Sequence, residues 1–140
     1  LSLHEWGGPV KYVRTLEQII VKTLEDFKIT GRLVQGLTGV WDGEEKIAAI
    51  GVKISRGVCY HGFALNVNTD LSRFDHIIPC GIIDQGVTSI QKLLGGPVDS
   101  DMVAYSLVYH FGREMGFSMV ETESSPEELT AKQPSAVRNK

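Results

Sequence analysis

Two turn signals constrain this chain more than any other feature: Asp42-Gly43, and Ser55-Arg56-Gly57 a strand's length later. They divide an apolar stretch that begins near Gly36 into LTGVW, EKIAAIGVKI and VCYHGFALNVN. Asp-Gly between two apolar runs is a strong short hairpin signal, because both central residues of a type I′ turn need positive φ. The spacing therefore predicts three consecutive antiparallel strands. In the middle strand Ile47, Ala49, Gly51 and Lys53 alternate with Lys46, Ala48, Ile50, Val52 and Ile54. One face is then strongly apolar and the other small and mixed. Small side chains on a strand leave room for something else, and Gly51 in mid-strand marks a bulge or a close approach by a backbone or ligand.

Ahead of the strands the period is helical. Residues 10–28 place Val10, Val13, Ile20, Leu24 and Phe27 on one side, with Pro9 at the first turn and Gly31 expected as the stop. Beyond the strands, residues 68–74 read as a polar turn, and His76-Ile77-Ile78 as a short extended piece before Pro79. Residues 84–94 read as a short helix ended by Gly95-Gly96. Asp99 or Ser100 is placed to cap a last helix, in which Val103, Leu107, Phe111 and Met115 recur at four-residue steps. From Glu121 to Lys140 the chain is rich in Ser, Glu, Pro and Lys and is expected to be disordered, leaving residues 1–120 as one domain. Helix, antiparallel strands and then helices, without strict βαβ alternation, predict an α+β architecture. Neither a Walker A loop nor a GxGxxG fingerprint is present, so nucleotide chemistry is not indicated.

Composition narrows the partners. The 140 residues carry 14 Lys plus Arg against 17 Asp plus Glu, a formal charge of −3. This lacks the basic excess that binds a phosphate backbone, so no nucleic-acid partner is expected. No run approaches the roughly 18 consecutive apolar residues of a membrane span, and no membrane partner is expected either. Only two cysteines occur, too few for a disulfide framework.

Cys80 is the first candidate for chemistry. Pro79 stiffens its approach, and Gly81 lacks the Cβ that would keep a substrate carbonyl from the backbone. A nucleophilic thiol beside backbone N–H groups suits acyl chemistry, while a small buried residue after a turn is the plainer reading. Lys46 opens an apolar strand. Its ammonium could favour a nearby thiolate and later accept a proton, or it could simply be a solvated hairpin end beside Glu44 and Glu45. Cys59, His61, His76 and Cys80 could in principle supply four zinc ligands, although Cys59 and His61 fall within an expected strand rather than a tight turn. A dyad of Cys80 with His61 or His76 is open on composition as well.

The motifs TGVW, K-I-x-A-I-G, HG-x-A-L-N, D-L-x-x-F and I-x-PCG follow one another between Thr38 and Ile90. In that order they closely resemble the lipoyl(octanoyl) transferase family, and the preceding helix extends the resemblance over about Leu3 to Phe117. The resemblance implies a biotin/lipoate protein ligase-like catalytic domain. It also implies transfer of an octanoyl group from octanoyl-acyl carrier protein to a lysine of lipoyl domains in 2-oxoacid dehydrogenase or glycine cleavage proteins. By the same resemblance Cys80 becomes the acyl thioester and Lys46 supports its thiolate and moves protons. Ala49, Ile50, Gly51, Gly62, Phe63 and Ala64 would line the acyl pocket. No cofactor and no metal is implied.

Members of that family carry, ahead of this region, a segment of the type R-G-G-x-x-T-Y-H-G-P-G-Q, which does not occur here. The chain is thus expected to correspond to the C-terminal part of such an enzyme. A noncatalytic remnant that binds a lipoyl domain or acyl chain is the alternative. An ATP-using lipoate or biotin ligase relative is a third reading, against which the PCG cysteine argues. The resemblance is compatible with bacterial cytoplasm or with a mitochondrial or plastid matrix. Lys53 and Arg56 could form a basic patch for an acidic carrier, or an ordinary solvated turn.

Overall fold

The computed structural model describes Leu3, residues 7–76 and 86–123, and Ser125. Cys80 with its Pro79 and Gly81 neighbours, Ile77 and Ile78 of the expected extended piece, the start of the expected helix at 84–85, and most of the tail lie outside the described residues.

The first helix, α1, spans Pro9–Asp26 and buries Tyr12, Leu16, Glu17, Ile19, Ile20, Thr23 and Leu24. The stripe predicted from the apolar positions is correct at Ile20 and Leu24 and wrong at its start. Val10 is 75% exposed, and Tyr12 takes the inward position against Leu16, Ile19 and Cys59. Gly31 is not the stop. The helix closes earlier, where Lys28 adopts φ 63 and its N–H donates to the Glu25 carbonyl at 2.9 Å, while the Ile29 N–H donates to Leu24 at 3.0 Å. This is a Schellman closure with lysine where glycine is usual, and Leu24 with Ile29 supplies its apolar contact. Gly31 serves close packing instead: a Cβ there would lie 2.9 Å from Leu24 Cδ1 and 3.0 Å from Val40 Cγ1.

Three strands follow, β1 (Val40–Asp42), β2 (Glu45–Ser55) and β3 (Val58–Leu65), in an antiparallel sheet of order β1-β2-β3. The predicted α+β class is observed. The first turn sits one residue later than expected: Asp42 pairs with Glu45, so Gly43 and Glu44 are its central residues. Gly43 has φ 55 and Glu44 is not among the positive-φ residues, which is the requirement of type II′ rather than I′. The I′ requirement is met in the second hairpin, where Arg56 has φ 51 and Gly57 φ 77 between the paired Ser55 and Val58.

Alternation then sorts the ribbon of β2 and β3 into two faces. Ala48 and Ile50 pair with Leu65 and Phe63, and these side chains, with Val52, pack against α1 and the last helix, while His61 opposite Val52 is exposed. After β3, Asp70 Oδ1 accepts from the Ser72 N–H at 3.1 Å and its hydroxyl at 2.7 Å. That turn opens a 3-10 helix, Leu71–His76, where a polar turn was expected.

The chain is described again at Gly86. Residues 86–88 are extended rather than helical because their backbone groups bond elsewhere: the Lys46 N–H donates to Gly86 O at 2.8 Å, and the Thr88 N–H donates to Lys46 O at 3.0 Å. Only Ile90–Leu94 form helix α2, with the Ser89 hydroxyl accepting from the Lys92 N–H at 3.1 Å and Gly95 closing it at φ 77. Asp99 caps α3, Ser100–Met115, by accepting from the Asp101 N–H at 2.9 Å. Val103 and Met115 of α3 are buried, with Leu107 and Phe111 packed beside them. Polar contacts also clasp α3 to α1: Lys22 pairs with Glu114, and Asp26 accepts from the Ser106 hydroxyl at 2.7 Å and faces His110 Nε2 at 2.9 Å. Among the described residues no helix is long and apolar enough to cross a membrane.

Candidate functional site

Lys46 stands where four segments meet. Across the first hairpin it pairs with Trp41, so both side chains leave the same face of the sheet, and its ammonium lies 5.1 Å from the centre of the indole ring. Trp41 is 1% exposed and is held by its own backbone, whose N–H donates to Arg32 O at 3.0 Å and whose carbonyl accepts from the Arg32 N–H at 2.8 Å. On the other side of β2, residues 86–88 take the place beside Lys46 that β3 leaves free beyond Leu65. Asn66 secures that exchange: its Nδ2 donates to Thr88 O at 3.1 Å and its carbonyl accepts from the Ile90 N–H at 3.0 Å.

The acidic neighbour does not neutralise Lys46. Glu45 Oε1 pairs with Lys92 Nζ at 2.7 Å, and among the described residues no carboxylate lies within ion-pair distance of the Lys46 ammonium. Gly86 makes room for the Glu45 side chain, since a Cβ there would come within 3.2 Å of Glu45 Cγ and Oε1. Thr88, fully buried beside Lys46, has no hydrogen-bond partner for its hydroxyl among the described residues.

Four of the six residues assigned to an acyl pocket by resemblance share the open face of the ribbon. Ala49 pairs with Ala64 and Gly51 with Gly62, and a Cβ at either glycine would meet nothing within 4 Å. The other two, Ile50 and Phe63, pair with each other on the opposite face and pack into the core. Lys53 and Tyr60 continue the open row, and Arg56 beyond them is exposed.

The four suggested zinc ligands fare differently. Cys59 is buried against Tyr12, its Sγ 3.7 Å from the Tyr60 carbonyl. Burial first, and then Cys59, push the Tyr12 hydroxyl above its usual pKa. His61 is exposed and holds φ 67 inside β3, an uncommon conformation for a side chain with a Cβ. Cys80 and the His76 side chain lie outside the described residues, so neither a zinc site nor a Cys80–histidine dyad has its geometry on view. Among the described residues no group of three His, Cys, Asp or Glu side chains is gathered as for a metal ion.

The sheet and its helices are the fold of the lipoate and biotin protein ligase catalytic domains. Lipoate-protein ligase A bound with ATP aligns with a TM-score of 0.71 at 18% identity, over 88% of this chain and 53% of that one. Biotin protein ligase from Aquifex aeolicus aligns with a TM-score of 0.66 at 20% identity, over 83% and 50%. The chain belongs to the family of the lipoyl protein ligase A/B catalytic domain, whose model matches residues 1–112. Within that family it is similar to the octanoyltransferase of Solibacter usitatus, with 50% identity over 121 residues, 86% of this chain and 54% of that protein. The octanoyltransferase of Alkaliphilus metalliredigens is 42% identical over 116 residues, 82% of this chain and 53% of that protein. The chain thus spans about half the length of the relatives it matches.

Proposed function

We propose that this chain carries the thioester-forming half of an octanoyltransferase site, moving an octanoyl group from octanoyl-acyl carrier protein to a lysine of lipoyl domains. The observation that carries the reading is the 50% identity to an octanoyltransferase along 121 residues. In this reading the Cys80 thiolate attacks the carbonyl carbon of the octanoyl thioester. A new carbon–sulfur bond forms, and the carrier sulfur leaves with a proton from the Lys46 ammonium. The amine of the lipoyl-domain lysine then attacks the Cys80 thioester. An amide forms, Cys80 departs as thiolate, and the amine's proton goes to Lys46, which restores the starting state. Exchange between thioesters is nearly neutral in energy and the final amide is more stable, so no ATP enters.

Two features of the fold support this. Gly86, whose carbonyl accepts from the Lys46 N–H, lies six positions after Cys80, and a tether of six Cα steps spans at most about 20 Å. The bare row of Ala49, Gly51, Gly62 and Ala64 offers a smooth wall for a straight acyl chain, with Ile50 and Phe63 forming its backing on the other face.

The test is intact mass after incubation with octanoyl-acyl carrier protein in the absence of ATP, followed by hydroxylamine and mapping of the modified residue. A hydroxylamine-labile octanoyl adduct on Cys80, absent from Cys80→Ala, is the expected result. An adduct that persists in Cys80→Ala, or one that forms only with ATP, overturns the assignment. Binding of octanoyl carrier or lipoyl domain without any adduct would instead favour the noncatalytic reading, which the half-length match to the relatives makes worth distinguishing.

A further inference from the structure

The function proposed above gives Lys46 a double task, as donor to a leaving sulfur and acceptor from an incoming amine. A lysine does this poorly if its flexible four-carbon stem wanders or if a carboxylate holds its protons. The geometry points to Trp41 as the positioning residue that prevents both: we propose that its indole face holds the Lys46 ammonium aimed at the reacting thioester. The inference rests on the reading of Lys46 given above.

Three observations converge. The Trp41 ring centre lies 5.1 Å from Lys46 Nζ, within the range where the ring's negative face attracts a cation. The pair is built rather than incidental. Trp41 and Lys46 are register partners beside a bulge between Val40 and Trp41, the tryptophan is 1% exposed, and its backbone is bonded on both sides to Arg32. Finally, the adjacent carboxylate, Glu45, is paired with Lys92 at 2.7 Å, and among the described residues no carboxylate lies within ion-pair distance of Lys46. An arene attracts the ammonium without accepting its protons the way a carboxylate would, so the N–H groups stay available to substrate.

The test has an arm that needs no turnover. Lys46 in the folded chain is labelled with a small amine-acetylating reagent and its rate is compared by mass spectrometry with that of exposed Lys53. Trp41→Leu is expected to raise the Lys46 rate about tenfold and Trp41→Phe about threefold or less, as an aromatic face is removed or merely shrunk. Proton spectra give a second signature. The Lys46 ε-methylene resonances, assigned by their loss in Lys46→Arg, are expected upfield from the indole ring current and at ordinary positions in Trp41→Leu. Unchanged labelling and unchanged ε-methylene shifts in Trp41→Leu overturn the proposal.

The functional arm compares rates of Cys80 acylation. Trp41→Leu is expected to lose about tenfold with Trp41→Phe largely rescuing it, while Ile20→Ala, a core cavity in α1, lowers the melting temperature without touching the rate. An equal loss in Ile20→Ala and Trp41→Leu would show that stability alone is at work and overturns the positioning role. Acylation unaffected by Lys46→Ala would sink the function assigned to Lys46 instead, a result readily told apart from failure of the labelling arm.

Discussion

The two faces of the β2–β3 ribbon are made by the same residues in alternation and yet have opposite characters. On one, Ile50, Val52, Phe63 and Leu65 are packed into the core. On the other, Ala49, Gly51, Gly62 and Ala64 form a row over which two glycines have open space. The two faces divide the labour of the ribbon. Burial on the packed face holds the ribbon in shape, which lets the opposite face do without bulk. A strand with one bare face folds only if the other is paid for by neighbours such as Ile20 and Leu24 of α1.

That division can be broken or sharpened by measurement. The largest effect is expected from Ile20→Ala, which empties a fully buried site between α1 and the packed face. It should cost about 2–5 kcal/mol in chemical unfolding, with the acyl-chain preference of any remaining folded protein unchanged. A shifted preference would mean that the two faces are coupled. A smaller effect on stability, within about 1 kcal/mol, is expected for Gly51→Val, since its Cβ meets nothing and a β-branched residue suits a strand. Under the function proposed above, the change should appear in substrate range: octanoyl transfer falls while transfer of a shorter acyl group such as butyryl survives. Equal rates for both chain lengths would remove Gly51 from the acyl wall.

The smallest effect lies away from the ribbon, in the clasp between α1 and α3. The Asp26 carboxyl is held below its usual pKa by the Ser106 hydroxyl first and by His110 second. A depressed folded-state pKa stabilises above the unfolded value, about 4, and the contribution is lost as the pH falls through the lower folded value. At this exposed position Asp26→Asn should lower stability by less than about 1 kcal/mol at pH 7, with the gap to the unaltered protein closing in acid. A gap of constant size between pH 7 and pH 2 would assign the effect to shape rather than charge.

Much of this was legible in the sequence because it depends on local periodicity. The alternation from Ala48 to Ile54 defined the two faces, and the four-residue spacing from Val103 to Met115 defined the buried side of α3. Before Ala48 the register shift opposite Val40 and Trp41 breaks the pattern, and Ile47, grouped by alternation with the small row, is fully buried in the core. The failures have physical reasons as well. Lys28 closes α1 in a conformation usually left to glycine, so Gly31 was a misleading stop. Residues 86–88 looked continuous with α2, but their hydrogen bonds go to Lys46 and to Asn66, contacts that no local pattern announces. Trp41 facing Lys46 is intermediate. A two-residue hairpin centred on Gly43 and Glu44 makes them partners, so moving the turn by one residue would have exposed the pair. Ile50 and Phe63 show the limit of a motif: a contiguous run maps to one stretch of chain, whereas a pleated strand sends adjacent side chains to opposite sides.

The bond between Lys46 and residues 86–88 also has a consequence for assembly. Lys46 belongs to a hairpin that can form early from local contacts, but its N–H and carbonyl are both claimed by a segment far downstream. Closing such a distant contact carries a greater entropic cost than closing the hairpins and is expected late in folding. During synthesis, the lysine cannot be fastened in its final position until the chain has been made through Thr88, beyond Cys80. A folding chain therefore carries Lys46 in a finished hairpin with one flank still open, and the pairing with residues 86–88 closes that flank late.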